Sequence, residues 1–149
     1  MTLEIINNFL PFNDSILTAG QPTEEQLEAA ARAGVEVVIN LALTTSDHAL
    51  PDEGSIVQSL GMDYVHIPVI WEKPARSDLE RFMDEMDTRN GQRILVHCAL
   101  NYRVSCFVAL WQYSRGDWDA EACYDWMHQI WDPDEYPAWQ AFIAESLSL

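Results

Sequence analysis

Positive charge is scarce in this chain. Eight Lys and Arg stand against 24 Asp and Glu in 149 residues, a formal net charge of −16. An anionic membrane surface or a nucleic-acid backbone is therefore not an expected partner, although a small anion held in a local cradle remains compatible with that balance. Long apolar runs are missing as well. None reaches the roughly 18 residues that a spanning helix needs, and Met1 to Leu10 has neither the basic start nor the apolar stretch of a secretion signal, so the cytoplasm is the expected location. Cysteine is sparse and odd in number: Cys98, Cys106 and Cys123, with no CxxC pair, argue against a disulfide framework or a zinc knuckle. His48, His66 and His128 form no metal-ligand pattern, and no metal is expected. With 6 Gly, 7 Pro, 48% hydrophobic and 21% charged residues, the mix excludes collagen-like, disordered and repeat architectures. It predicts one soluble globular domain over residues 1–149.

Apolar segments alternate with amphipathic ones along the chain. Ile16 to Thr18 is a short strand, after which Thr23 caps a helix with Gln26 in the capping-box position and Gly34 as its stop. Val35 to Leu41 is β-branched and too short for a helix, hence a buried strand, and Thr44 to Pro51 is a polar loop at its end. A short helix follows to Gly61. Tyr64 to Val69 is the next strand, and Ile70 to Arg76 a loop before a helix capped by Ser77, with Glu80 three residues on. Arg93 to Cys98 is a further apolar strand, followed almost at once by an apolar helix from about Val104 to Tyr113. Two helices with Trp-rich inner faces complete the chain, most simply as core packing. The pattern predicts an α/β fold with a mostly parallel central sheet flanked by helices.

Ligands of open α/β sheets gather at the C-terminal ends of the strands, and one strand ends in His97-Cys98-Ala99-Leu100-Asn101-Tyr102-Arg103-Val104-Ser105. A thiol between a buried strand and a helix N-terminus faces unpaired backbone N–H groups and the positive end of the helix dipole. That environment favours a thiolate and binds an anion with the same groups. The backbone of Ala99, Leu100, Asn101 and Tyr102 is thus the expected cradle, and the planar guanidinium of Arg103 can hold two oxygens of a tetrahedral anion. Nucleophile, cradle and clamp together make a phosphoryl-transfer site.

This segment resembles the His-Cys-x5-Arg-Ser/Thr loop of the cysteine-based protein tyrosine phosphatases, with one residue fewer between Cys98 and Arg103. Ser105 stands where that family keeps a hydroxyl for the thiolate, and Asn101 takes a position usually held by glycine, which Asn can fill because it tolerates positive φ. Thr18 to Thr23 (TAGQPT), Val38 to Leu41 (VINL) and Tyr64 to Trp71 (YVHIPVIW) extend the similarity to a bacterial branch of small dual-specificity-phosphatase-like proteins. The resemblance implies a dual-specificity-phosphatase-like fold, a small phosphate-type or phosphoprotein substrate and no cofactor. It also implies a general acid on the loop after the preceding strand, where this chain offers Glu72, with Asp47, Asp52 and Asp78 as poorer candidates. His97 is expected to fix the cysteine loop from behind, and Gln21 either to touch the anion or to open its helix.

Three functions fit these residues. The leading one is hydrolysis of a phosphate monoester through a phosphocysteine on Cys98, weak on generic substrates. The second is sulfur transfer through a Cys98 persulfide, since rhodanese-type enzymes also carry a Cys-x4-Arg loop. The third is a non-catalytic module that binds an anion or a phosphorylated partner.

Overall fold

A computed structural model describes residues 2–148. Five strands, β1 (Leu10–Pro11), β2 (Ile16–Ala19), β3 (Val37–Asn40), β4 (Asp63–His66) and β5 (Ile94–His97), form one sheet in the order β1-β2-β5-β3-β4. β1 runs antiparallel to β2, and every other pair is parallel. β5 therefore lies between β2 and β3, and the loops leaving all three open at the same end of the sheet. The edge strand β1 was not expected from the sequence. It is two residues long and contains a proline, which an edge tolerates because no inner ladder there needs its missing N–H.

Six α-helices cover the sheet: α1 (Glu24–Arg32), α2 (Glu53–Ser59), α3 (Arg76–Thr88), α4 (Tyr102–Ser114), α5 (Ala120–His128) and α6 (Pro137–Leu147). Strand residues alternate between two cores, as the period of two requires. Val37, Ile39, Ile94 and Val96 pack with Phe82, Phe107, Trp139 and Ile143 on one face. Val38 and Leu95 pack with Leu27, Ala30 and Val57 on the other. The expected mostly parallel sheet with helices on both faces is what the chain forms. Among the described residues no helix is long and apolar enough to cross a membrane.

The α1 capping box closes in both directions, with Thr23 Oγ1 accepting from Gln26 N–H and Gln26 Oε1 accepting from Thr23 N–H. Two helix starts differ from the sequence reading. α3 begins at Arg76 with Ala75 as N-cap and no side-chain cap. Glu80 is drawn to Arg76 by an i,i+4 ion pair of 3.3 Å, not to the Ser77 backbone. α4 begins at Tyr102, so Arg103 stands in its first turn and not ahead of it.

Candidate active site

The cysteine loop is shaped from behind. After His97 the chain turns through Asn101, at φ 67° in the left-handed region, and enters α4. The Asn101 amide nitrogen donates to Asn8 O at 2.9 Å and to Thr18 Oγ1 at 3.0 Å. Gln21 N–H binds Ala99 O at 3.0 Å, and the Asn8 amide binds Leu100 O at 2.9 Å. In a trans peptide the N–H points opposite to the C=O, so tying back these two carbonyls turns the N–H groups of Leu100 and Asn101 the other way. Among the described residues, the N–H groups from Ala99 to Val104 find no backbone carbonyl; that of Ser105 is the first to do so, on Asn101 O at 3.0 Å. Gly20 makes the close approach possible. A Cβ there would lie 2.6 Å from Ala99 O and 3.0 Å from Asn7 O.

A cleft of about 1070 Å³ opens over this loop. Cys98, Ala99, Leu100, Tyr102, Arg103, Gln21 and Glu72 all line it, so the sequence-selected nucleophile, clamp and candidate acid share one space. Asp47 lines it too, whereas Asp52 lies on a smaller neighbouring pocket and Asp78 on neither. Arg103 is buried, with 6% of its surface exposed. One guanidinium nitrogen donates to Val69 O at 2.9 Å, its carbon stands 5.9 Å from the Trp71 ring centre, and its Nε has no partner. A buried cationic donor without an acceptor is costly, and Arg103 as a whole lines the cleft where an oxyanion would meet its guanidinium. Trp71 belongs to an aromatic cluster with Tyr102, Trp131, Tyr136 and Trp139. Trp139 Nε1 donates to Trp71 O at 2.8 Å, so the C-terminal segment both packs the core and, through half-buried Tyr136, builds the cleft wall.

Behind the loop runs a buried polar chain. His97 Nε2 meets Glu53 Oε2 at 2.7 Å and His97 Nδ1 meets Cys98 O at 3.2 Å. The Gln21 amide donates to Glu53 Oε1 at 2.8 Å. Burial pushes the Glu53 carboxyl up, but the charge of His97 and hydrogen bonds from His97, Gln21 and Tyr64 outweigh it and leave its pKa below the ordinary value. Burial, with Glu53 nearby, pushes the Tyr64 phenol up to about 12 despite its bond from Asn40. His97 thus lies behind the Cys98 loop, bonded to Glu53 and to Cys98 O, while Gln21 both lines the cleft and bonds Ala99 O.

Glu53 is the residue that sequence reasoning missed. Its signal was the i,i+4 spacing to Val57, which places it on the buried stripe of α2. Ser105 holds a different contact from the one its family position implies: its hydroxyl gives its single proton to Tyr102 O at 3.1 Å and accepts from Trp131 Nε1 at 2.9 Å. His66, expected to be satisfied within the core, meets Ala42 O at 2.7 Å. Among the described residues no group of His, Cys, Asp and Glu could hold a metal ion.

The sequence and the fold link the chain to known proteins. A family model described as a DSP-PTPase phosphatase fused to NAD+ kinase matches residues 12–132. A crystal structure of a DUF442 protein from Shewanella putrefaciens CN-32, described as a putative phosphatase, is 39% identical, with a TM-score of 0.89 over 98% of this chain and 92% of that one. Tk-PTP in its active form is 20% identical, with a TM-score of 0.77 over 95% and 97% of the two chains. Pseudomonas aeruginosa TpbA in complex with pTyr is 15% identical, with a TM-score of 0.74 over 96% and 85%. These last two share the fold. No curated protein matches the sequence. Matched by that family over most of its length, and 39% identical to a relative across nearly all of it, the chain belongs to the cysteine-based tyrosine and dual-specificity phosphatases, phosphoric monoester hydrolases by class.

Proposed function

We propose that the chain hydrolyses a phosphate monoester through a phosphocysteine on Cys98. The observation that supports it best is the convergence of Cys98, Glu72 and Arg103, with its unpartnered Nε, on one cleft. The phosphate oxygens sit against the N–H groups of the Cys98 to Arg103 turn and the Arg103 fork. His97 meets Cys98 O and Glu53 through its two ring nitrogens and braces the turn from behind. Sγ attacks phosphorus, the bond from phosphorus to the ester oxygen breaks, and Glu72 in its acid form protonates that oxygen, so the alcohol leaves. Water then attacks phosphorus and gives its proton to the Glu72 carboxylate. The sulfur–phosphorus bond breaks, releasing phosphate and the thiolate.

With four residues between Cys98 and Arg103 in place of five, the turn offers one backbone donor fewer than the longer signature; each preorganised donor is worth roughly 2.7–4 kcal/mol in a transition state. Turnover of generic aryl phosphates is therefore about 10²–10³-fold below that of a full-length loop. Family membership weighs for phosphoryl over sulfur transfer. The test is acid-quenched mass spectrometry of protein mixed with an aryl phosphate, alongside steady-state turnover. A phosphate adduct on the Cys98 peptide is expected, absent in Cys98→Ser, and Glu72→Gln should slow alkyl phosphates far more than aryl ones. A persulfide on Cys98 after thiosulfate with no phosphate adduct would overturn the proposal in favour of sulfur transfer. Vanadate binding with neither adduct would overturn it in favour of an anion-binding module.

A further inference from the structure

Phosphate chemistry needs a cation at the base of the cleft, and Arg103 is the sole Lys or Arg among the lining residues. The rest of the wall has the opposite sign. Glu24 and Glu25 from the first turn of α1, Asp47 from the loop after β3 and Glu72 from the loop after β4 all line the same space and are exposed. Glu24 and Glu25 also complement the dipole of α1, but Asp47 and Glu72 lie on separate loops where no helix terminus accounts for them. On a chain of net charge −16, such a rim opposes the approach of a plain phosphate dianion.

A second feature of the wall points the same way. Tyr102, Tyr136 and Trp71 line the cleft, with the Trp71 ring centre 5.1 Å from that of Tyr136 and 5.9 Å from that of Tyr102. Aromatic rings in a cleft that carboxylates also line recognise ammonium and guanidinium groups, as the Arg103 guanidinium 5.9 Å from the Trp71 ring centre already illustrates. A guanidinium lining the same cleft recognises an oxyanion. One cleft therefore presents anion recognition at its base and cation recognition on its wall.

We infer that the substrate is a phosphate monoester whose leaving group carries a positive charge, either an ammonium-bearing alkyl phosphate or a phosphorylated side chain flanked by Lys or Arg. The phosphate engages Arg103 and the cysteine turn, while the cation lies against the aromatic faces within the field of Glu24, Glu25 and Asp47. Such a ligand brings less net negative charge into the cleft than a simple phosphate ester does. The inference rests on the phosphatase reading for its chemistry but not for its test, because binding is measured without turnover.

The experiment uses calorimetric titration of the full chain as Cys98→Ser with two matched pairs. One pair is phosphocholine and 3,3-dimethylbutyl phosphate, which differ by a quaternary nitrogen in place of carbon. The other is a phosphotyrosine peptide flanked by Arg and the same peptide flanked by Asp. The cationic member of at least one pair should bind about tenfold more tightly at low salt. The gap should shrink in high salt and collapse in a Cys98→Ser protein that also carries Glu24→Gln and Glu25→Gln. A preference confined to the first pair identifies a small ammonium ester, and one confined to the second a phosphoprotein. Equal affinities within both pairs, or a preference indifferent to salt and to the two glutamine substitutions, would overturn the inference. Parallel turnover assays on wild type separate this from failure of the phosphatase reading, which shows as no phosphocysteine with any substrate.

Discussion

Cys98 and Cys106 are both entirely buried, and their surroundings are opposite. Cys106 lies in the middle of α4 among apolar side chains, where burial, with Cys123 nearby, pushes its thiol well above the ordinary range. Cys98 lies ahead of the α4 N-terminus on a cleft that Arg103 also lines, and a run of N–H groups without backbone partners follows it. Burial alone disfavours a thiolate. The chemistry of a buried thiol is decided by whether charges and dipoles around it replace the water it has lost.

Alkylation reads that contrast directly and should show the largest effect. Burial, helped by Asp119, pushes the Cys123 thiol up to about 11, so at pH 6 only about one molecule in 10⁵ carries that thiolate. Iodoacetamide at pH 6 should modify Cys98 first by orders of magnitude, and vanadate should protect it. Mass spectrometry showing uniform modification, or Cys106 or Cys123 leading, would remove the distinction.

Gly20→Ala tests the loop from behind. The added Cβ meets backbone oxygens of Ala99 and Asn7 that cannot rotate away. Stability should fall by roughly 1–3 kcal/mol, and displacement of the loop should slow turnover by about 10²-fold. Denaturant titration and steady-state kinetics measure the two losses. A fully active Gly20→Ala would mean that the carbonyl tethers do not shape the cradle.

Arg103→Lys keeps the charge and loses the fork. Vanadate binding should weaken by roughly 1.5–3 kcal/mol, nearly as much as in Arg103→Ala. Unchanged affinity by calorimetry would reduce Arg103 to a structural donor for Val69.

The smallest effect is expected at Glu53. Its carboxyl sits below the usual value of 4.5 in the folded protein, so between the two values the unfolded chain binds more protons and stability rises with pH. The contribution is present above about pH 4.5 and is lost as pH falls through the depressed folded value. Glu53→Gln should cost roughly 1–3 kcal/mol near neutrality and flatten that acidic slope. Chemical denaturation from pH 3 to 6 measures it, and identical slopes in both proteins would remove Glu53 from the account.

What could be read from the sequence was local. The His97 to Ser105 segment singled out Cys98 and Arg103, Thr23 and Gln26 named their own capping box, and Asn101 announced a turn with positive φ. Residues that complete the site from a distance carried fainter marks or none. The spacing of Glu53 to Val57 marks its burial but not its reach to His97 across 44 residues. Asn8 and Thr18 are ordinary polar residues until Asn101 is placed beside them. Tyr136 sits in a Pro- and Asp-rich stretch that reads as a connecting loop. Helix starts slipped where a side chain had two partners to choose from, as Glu80 did between Ser77 and Arg76.

The tether from Asn8 has a consequence for how the protein comes together. It bonds Leu100 and Asn101 across 92 and 93 residues, among the longer closures the chain must make, and long closures form late because they confine the most intervening chain. Strands β3, β4 and β5 can pair before it, with their helices in place. The turn that follows Cys98 acquires its final shape only when the segment around Asn8 folds back against it, so a long-range closure shapes the floor of the cleft.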